Sequence, residues 1–319
     1  MLMARIGNYE ITAELGRGAM GVVYEAVQQT LGRKVALKTL AAEESSDIVL
    51  RFRREGSAYA QLSHQNILTI YDLIEDHDTI YLVTELIDGC DLKQLMQSGG
   101  PLPAADVATI GARIAEALDH AHFHELLHRD IKPANVMLSR HGAVKLTDFG
   151  VAKDSKAEDM TQTGMIVGSV PYLAPEVLIT GEYSPRTDIW ALGVMLYELL
   201  VGERPFIAGD DRSIASQILK ATPIPLRKRL PTLPRRLAKA ISRCLEKRPE
   251  KRWPDAFSLA RELDRISLSL LAQAHPQEHL SGLMIVRGYE PASYAFKTID
   301  IADEDAPPPK RRWWQVLNR

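Results

Sequence analysis

His128-Arg129-Asp130-Ile131-Lys132-Pro133-Ala134-Asn135, followed thirteen residues later by Asp148-Phe149-Gly150, decides the reading of this chain. The two stretches supply two carboxylates, an amide, and a lysine two positions after the first carboxylate. Asn135 and Asp148 offer hard oxygen donors, the type Mg²⁺ prefers. Asp130 can accept a proton from a hydroxyl nucleophile and orient it. Such a set suits an acceptor hydroxyl held in line with a metal-bound nucleoside triphosphate. Either short motif recurs by chance, so the weight rests on their order and on what precedes them.

Upstream lies Gly16-Arg17-Gly18-Ala19-Met20-Gly21-Val22-Val23, a GxGxxGxV pattern. Glycines there let backbone N–H groups approach phosphate oxygens that a Cβ would obstruct. A dinucleotide fingerprint wants a helix after the glycines, whereas Val22-Val23-Tyr24 continues as a strand. A Walker A loop is excluded because no GxxxxGK[ST] occurs. Lys38 ends Val35-Ala36-Leu37-Lys38, a third strand-like run.

With these motifs in order, the chain resembles the eukaryotic-like (Hanks-type) serine/threonine protein kinases, most like the bacterial members, over about residues 9–268. The resemblance implies an α+β, two-lobed protein kinase fold. The N-lobe would be a five-stranded antiparallel sheet plus one helix, and the C-lobe mainly helical. It also implies roles. Asp130 becomes the base, Lys132 the partner of charge developing on the γ-phosphate, and Lys38 the phosphate-pairing lysine, with Glu55 as its helical partner. Gly16, Gly18 and Gly21 cover the phosphates. Thr84 is the gatekeeper, and the backbone of Glu85 to Ile87 meets the adenine edge between Val23, Ala36 and Met137. Asp91 meets the ribose, or else caps a helix. Asn135 and Asp148 hold Mg²⁺, with Mn²⁺ as an alternative. The cofactor is ATP, and the activity is that of a non-specific serine/threonine protein kinase acting on protein hydroxyls.

Further residues gain meaning from the same resemblance. Gly168-Ser169-Val170-Pro171-Tyr172-Leu173-Ala174-Pro175-Glu176 is similar to the family's GTxxYxAPE segment, with Ser169 where Thr is usual. Glu176 is expected to pair with Arg252, and Asp188 to anchor the catalytic-loop backbone. Thr161 and Thr163 are expected phosphorylation sites, modified in trans through a transient homodimer. His128 organises its loop by hydrogen bonding. His120, His122 and His124 precede it on a helix and read as structural or surface residues. A scaffold acting by binding alone is the alternative function. It predicts loss of the lysine or of a catalytic carboxylate, and Lys38, Asp130, Asn135 and Asp148 are all in place.

Composition narrows the rest. The 319 residues carry Lys+Arg 39 against Asp+Glu 41, which gives no bulk charge for nucleic acid. Cys90 and Cys244 lie far apart and suit a reducing, cytoplasmic setting. Strand character over 9–40, 67–74 and 79–86 surrounds helical periodicity at 47–61. Helices follow at 104–124, from Ser184-Pro185 through Leu200, and near 234–246 and 255–270. The domain is expected to span 9–270, with lobes at about 9–87 and 88–270. Residues 271–319 read as a tail, partly extended or disordered. Its Lys310-Arg311-Arg312-Trp313-Trp314 end suits either an anionic membrane surface or a plain disordered terminus. A membrane helix beyond Arg319 would suit a longer parent chain, placing the kinase on the cytoplasmic face.

Overall fold

A computed structural model describes residues 5–18, 21–39, 59–76, 79–149, 170–207, 213–271 and 275–289. The N-terminal lobe is one antiparallel sheet. Its strands are β1 (Arg5–Ile6), β2 (Tyr9–Gly18), β3 (Gly21–Gln28), β4 (Arg33–Thr39), β5 (Ile70–Asp76) and β6 (Thr79–Glu85), ordered β1-β2-β3-β4-β6-β5. This is six strands where five are expected from the sequence. The extra one, β1, pairs Ile6 with Tyr9 across a turn at Gly7, whose φ is +52°. Ile6 and Tyr9 are buried against Ala26, Val35, Leu37 and Val83, so two apolar residues closing the end of a small core explain it. The expected helix at 47–61 lies almost wholly outside the described residues.

Side chains alternate along a strand with a period of two, and β4 shows the consequence. Val35 and Leu37 are buried in the lobe's core, while Ala36 and Lys38 stand half-buried on the other face. Val23 lies directly opposite Lys38 in the register. Thus Val23, Ala36 and Lys38 share one incompletely covered face of the sheet.

A second sheet, β7 (Gly89–Asp91), β8 (Val136–Ser139) and β9 (Val144–Leu146), begins the larger lobe. The lobe holds nine helices among the described residues, the first two between β7 and β8: α1 (Leu92–Gly99), α2 (Ala104–Phe123), α3 (Pro175–Thr180), α4 (Pro185–Val201), α5 (Ile214–Lys220), α6 (Leu226–Arg229), α7 (Arg235–Cys244), α8 (Ala256–Leu271) and α9 (Pro276–Val286). The start of α4 is set by a capping box between Ser184 and Thr187 with Pro185 at the first helical position. Its end is set by Gly202 at φ +81°. Trp190, Leu192, Met195 and Leu196 are fully buried on different sides of it, as expected of a helix that is apolar nearly all round. It packs against α2, α2 packs in turn against α8, and the lobe's core forms around these contacts.

Helix α9 corrects the tail boundary at 271. Leu280, Leu283 and Met284 are buried against the lobe. The Ser281 hydroxyl donates to the Arg140 carbonyl at 2.9 Å, and the Gln277 amide donates to the His141 carbonyl at 3.2 Å. His279 Nδ1 meets Asp106 Oδ1 at 2.6 Å. Burial pushes the Asp106 carboxyl up, and His279 partly offsets this. The apolar positions at i, i+3 and i+4 carry a helical signal, but only three turns long, which is why the periodicity fades from the sequence there. No helix among the described residues is long and apolar enough to cross a membrane.

Candidate active site

A 3₁₀ turn at Pro133–Asn135 folds the catalytic loop back on itself before β8 begins. It brings Asp130, Lys132 and Asn135 together. Asp130 Oδ2 accepts from Lys132 Nζ at 2.7 Å and from Asn135 Nδ2 at 3.0 Å. Asn135 Nδ2 also donates to the Asp130 carbonyl at 2.8 Å. A main-chain carbonyl can only accept, so this contact fixes the amide's orientation. The Asn135 Oδ1 is thereby turned away from Asp130 and kept as a free oxygen donor. That oxygen and the Asp148 carboxylate are both hard donors, the type a divalent cation prefers.

The loop's shape is imposed from beneath. Asp188, on α4, accepts the backbone N–H groups of His128 and Arg129, each at 2.9 Å, and meets His122 Nε2 at 2.9 Å. Burial pushes the Asp188 carboxyl up. The hydrogen bond and charge of His122, together with His128, outweigh it and hold the group below the ordinary carboxylate value. Arg129 takes a left-handed backbone, φ +63°, which costs a non-glycine residue about 1–2 kcal/mol. His128 is fully buried. Its Nδ1 accepts from the Asp130 N–H at 3.2 Å, and its Nε2 faces the Thr147 carbonyl at 2.9 Å. One nitrogen must accept and the other donate, so the ring is the neutral Nε2–H tautomer. Burial lowers its pKa, in keeping with that state. His128 thus ties the catalytic loop to the strand end that carries Asp148. The supporting role of His122 has no signal in the sequence, since a histidine on a helix reads equally well as surface.

On the nucleotide side, Lys38 Nζ is hydrogen-bonded to Asp148 Oδ1. Asp148 has φ +54°, another left-handed residue at the site. Gly16 faces open space where its Cβ would be. Gly21, at φ +126°, lies so close to β4 that a Cβ would stand 2.1 Å from the Thr39 carbonyl oxygen. Its need for glycine therefore comes from the protein backbone, independently of any phosphate. Gly18 closes β2 opposite Gly21. The buried Thr84 hydroxyl donates to the Glu85 carbonyl at 3.1 Å. The Glu85 carboxylate accepts from Lys145 Nζ at 2.6 Å and from the Thr69 N–H at 2.7 Å. That side chain braces the segment after β6, where Ile87 is half-buried. Met137 is half-buried on β8, opposite Asp91 in the register.

Asp91 shows the capping alternative directly. It is the N-cap of α1, accepting the Gln94 N–H at 2.8 Å while Gln94 Oε1 accepts the Asp91 N–H at 3.3 Å. The expected pair of Glu176 and Arg252 is present and bidentate, at 2.6 and 2.7 Å. Among the histidines, His64 stacks on His120 with ring centroids 5.2 Å apart, and His120 meets His124 at 4.9 Å. The first contact pins the loop carrying His64 to α2, and the second lies within the C-terminal end of that helix. Glu55, Thr161 and Thr163 lie outside the described residues.

Comparison with known proteins agrees with this architecture. The protein kinase domain model matches residues 9–262, and the chain belongs to that family. Among similar curated proteins is a probable serine/threonine-protein kinase of Clostridium acetobutylicum, 38% identical over 81% of this chain and 40% of its own length. The serine/threonine-protein kinase PrkC of Bacillus subtilis is 34% identical over 91% of this chain and 46% of its own. PknA of Mycobacterium tuberculosis, also a serine/threonine-protein kinase, is 38% identical over 77% and 58%. The chain therefore spans about half the length of these relatives. A crystal structure of Rad53 1–466 in complex with AMP-PNP superimposes with a TM-score of 0.66 at 26% identity, covering 82% of this chain and 65% of that one. These likenesses place the chain in the Hanks-type serine/threonine branch.

Proposed function

We propose that this chain transfers the γ-phosphoryl group of MgATP to serine and threonine hydroxyls of protein substrates. The observation that carries the reading is the Asp130 carboxylate, 7% exposed and held by both Lys132 and Asn135. Asp130 accepts the proton of the acceptor hydroxyl and aims its oxygen at the γ-phosphorus. Lys132, already in contact with Asp130, offsets charge on the transferring group. Asn135 Oδ1 and the Asp148 carboxylate are the residues that would hold Mg²⁺. The ion's chemistry is to neutralise the phosphate oxygens it touches. Lys38 exchanges its contact with Asp148 for phosphate oxygens, with Glu55 as its proposed second partner. The half-covered face of Val23 and Ala36, closed below by Met137, receives the adenine, a reading supported by the AMP-PNP complex of the similar Rad53 structure.

The same chemistry directed at Thr161 and Thr163 of a second copy gives autophosphorylation in trans. Asp91 is left with its capping role and only a secondary contact to ribose. The chain with γ-labelled ATP and a generic basic protein tests the whole reading. Label appears on serine and threonine of the substrate and is lost in Lys38→Met. Absence of label from the wild-type reaction, with ATP binding intact, would leave a binding module instead.

A further inference from the structure

On the larger lobe, sharing no residue with the catalytic loop or the nucleotide cleft, α6 and α7 enclose an open groove of about 540 Å³. Arg227, Arg235, Lys239 and Arg243 line it, with Glu246 as the single carboxylate among the described residues. Four cations against one carboxylate depart from a chain whose formal charge is −2. Arg235, Lys239 and Arg243 recur at i, i+4 and i+8, so α7 presents them along one face.

Two of these cations are fixed in place. The Arg243 guanidinium lies over the Trp253 ring, 4.5 Å from its centroid, and Arg227 donates to the Pro231 carbonyl at 3.0 Å. Arg235 and Lys239 have no ion pair among the described residues. By contrast, neighbouring Arg236 is bidentate to Glu262 and Arg229 pairs with Glu203. Helix stability does not account for Arg235. It opens α7, where the helix dipole is positive and disfavours a cation by about 0.3–1 kcal/mol. No acidic residue lies in that first turn, and the N-cap, Pro234, offers no side-chain acceptor. The peptide N–H groups there add to the positive field instead of being neutralised.

Among the described residues no aromatic side chain lines the groove, so it offers no platform on which the bases of a single strand could stack. Pro225, Leu226 and Ala238 line it with apolar surface between the cations. We propose that this groove docks an acidic, partly apolar segment of a protein partner, with carboxylates on the four cations and apolar side chains on that surface. The proposal goes beyond phosphoryl transfer and stands or falls separately, because the groove shares no residue with the catalytic loop or the nucleotide cleft.

The test is fluorescence anisotropy of the full chain with a labelled peptide alternating glutamate and leucine, against its glutamine counterpart, at low ionic strength. The wild type binds the glutamate peptide and not the glutamine one. Arg235→Glu with Lys239→Glu weakens binding by about tenfold or more, since two favourable pairs become repulsive. This variant keeps its fold. The helix dipole favours an acidic residue at the start of α7 and offsets the repulsion between Glu side chains four residues apart, so its melting temperature stays near that of the wild type, and its rate on a short neutral acceptor peptide is unchanged. Undiminished binding in the variant overturns the proposal, as does failure of the wild type to distinguish the peptides. Equal affinity for a single-stranded oligonucleotide of the same charge, with the same residue dependence, also overturns it and leaves a general polyanion surface.

Discussion

Asp188 accepts the backbone N–H of Arg129 at 2.9 Å while Arg129 holds φ +63°. A buried carboxylate on the central helix thus stabilises a strained residue immediately before the proposed base. Asp130 is aimed by this contact as much as by its own side-chain partners.

Replacing Asp188 with Asn tests the relationship. One acceptor oxygen becomes an NH₂ group pointing at an N–H donor. Loss of a hydrogen bond to a charged group costs about 1.5–3 kcal/mol. Relaxation of Arg129 misplaces Asp130, and a misplacement near 1 Å costs about 10²-fold in rate. Steady-state kinetics should show kcat falling with little change in the KM for ATP. An unchanged kcat in Asp188→Asn would detach the loop's geometry from catalysis.

The guanidinium of Arg252 is fully buried and spends its donors on Glu176, on the carbonyls of Arg186, Lys247 and Glu246, and on nothing solvent-facing. Arg252→Ala strands the Glu176 carboxylate and three carbonyls. Breaking a buried pair from one side costs about 3–5 kcal/mol. Thermal denaturation of the variant should show a melting temperature lower by roughly 10 °C. Arg252→Lys should recover only part of it, because an ammonium cannot reproduce the two-pronged contact.

His128 provides a pH test. Its folded pKa lies below the ordinary 6.5, first because it is buried. On acidification the unfolded chain takes up this proton before the folded one, so stability present above about pH 6.5 declines as pH falls. Asp188 acts in the same direction at lower pH, since its pKa is also depressed. Nitrogen NMR of labelled protein should find His128 as the Nε2–H tautomer, with any titration midpoint displaced below the ordinary value. A midpoint near 6.5 would mean that the ring is not locked between Asp130 and Thr147.

Helix α9 predicts where the chain can be shortened. Ending it after Tyr289 removes nothing that packs on the lobe among the described residues, and melting temperature and activity should stay near those of the full chain. Ending it at Leu271 deletes buried Leu280, Leu283 and Met284. Each such side chain contributes about 1.5–3 kcal/mol on burial, so melting should fall by several degrees. Equal melting of the two shortened chains would show that α9 adds nothing to the domain.

Much of this was legible in the sequence because the motifs impose backbone geometry. The run His128–Asn135 announces a loop with its carboxylate, lysine and amide in reach of one another, and the structure brings them within 3.0 Å. Glu176 with Arg252, and Asp188 beneath the loop, were expected from the family resemblance. What escaped depends on tertiary contact. Strand β1 exists because Ile6 and Tyr9 close a core, and two residues carry no period. Helix α9 has an apolar face that makes sense only once α2 and β8 are there to cover it. Asp91 was ambiguous because one short carboxylate can serve a ribose or a helix start, and the Gln94 contact exists only after α1 has formed. The groove on α6 and α7 was illegible because its cations are drawn from two helices.

The central claim is that Asp130 accepts the proton of a protein hydroxyl. Asp130→Asn keeps the shape and the contact with Lys132 but removes the base. Single-turnover transfer from γ-labelled ATP to a serine-containing protein, with ATP affinity measured alongside, tests it most directly. The account predicts a rate lower by about 10²–10⁴-fold with ATP affinity nearly unchanged. A variant retaining more than about a tenth of the wild-type rate, against an expected loss of at least 10²-fold, would contradict it.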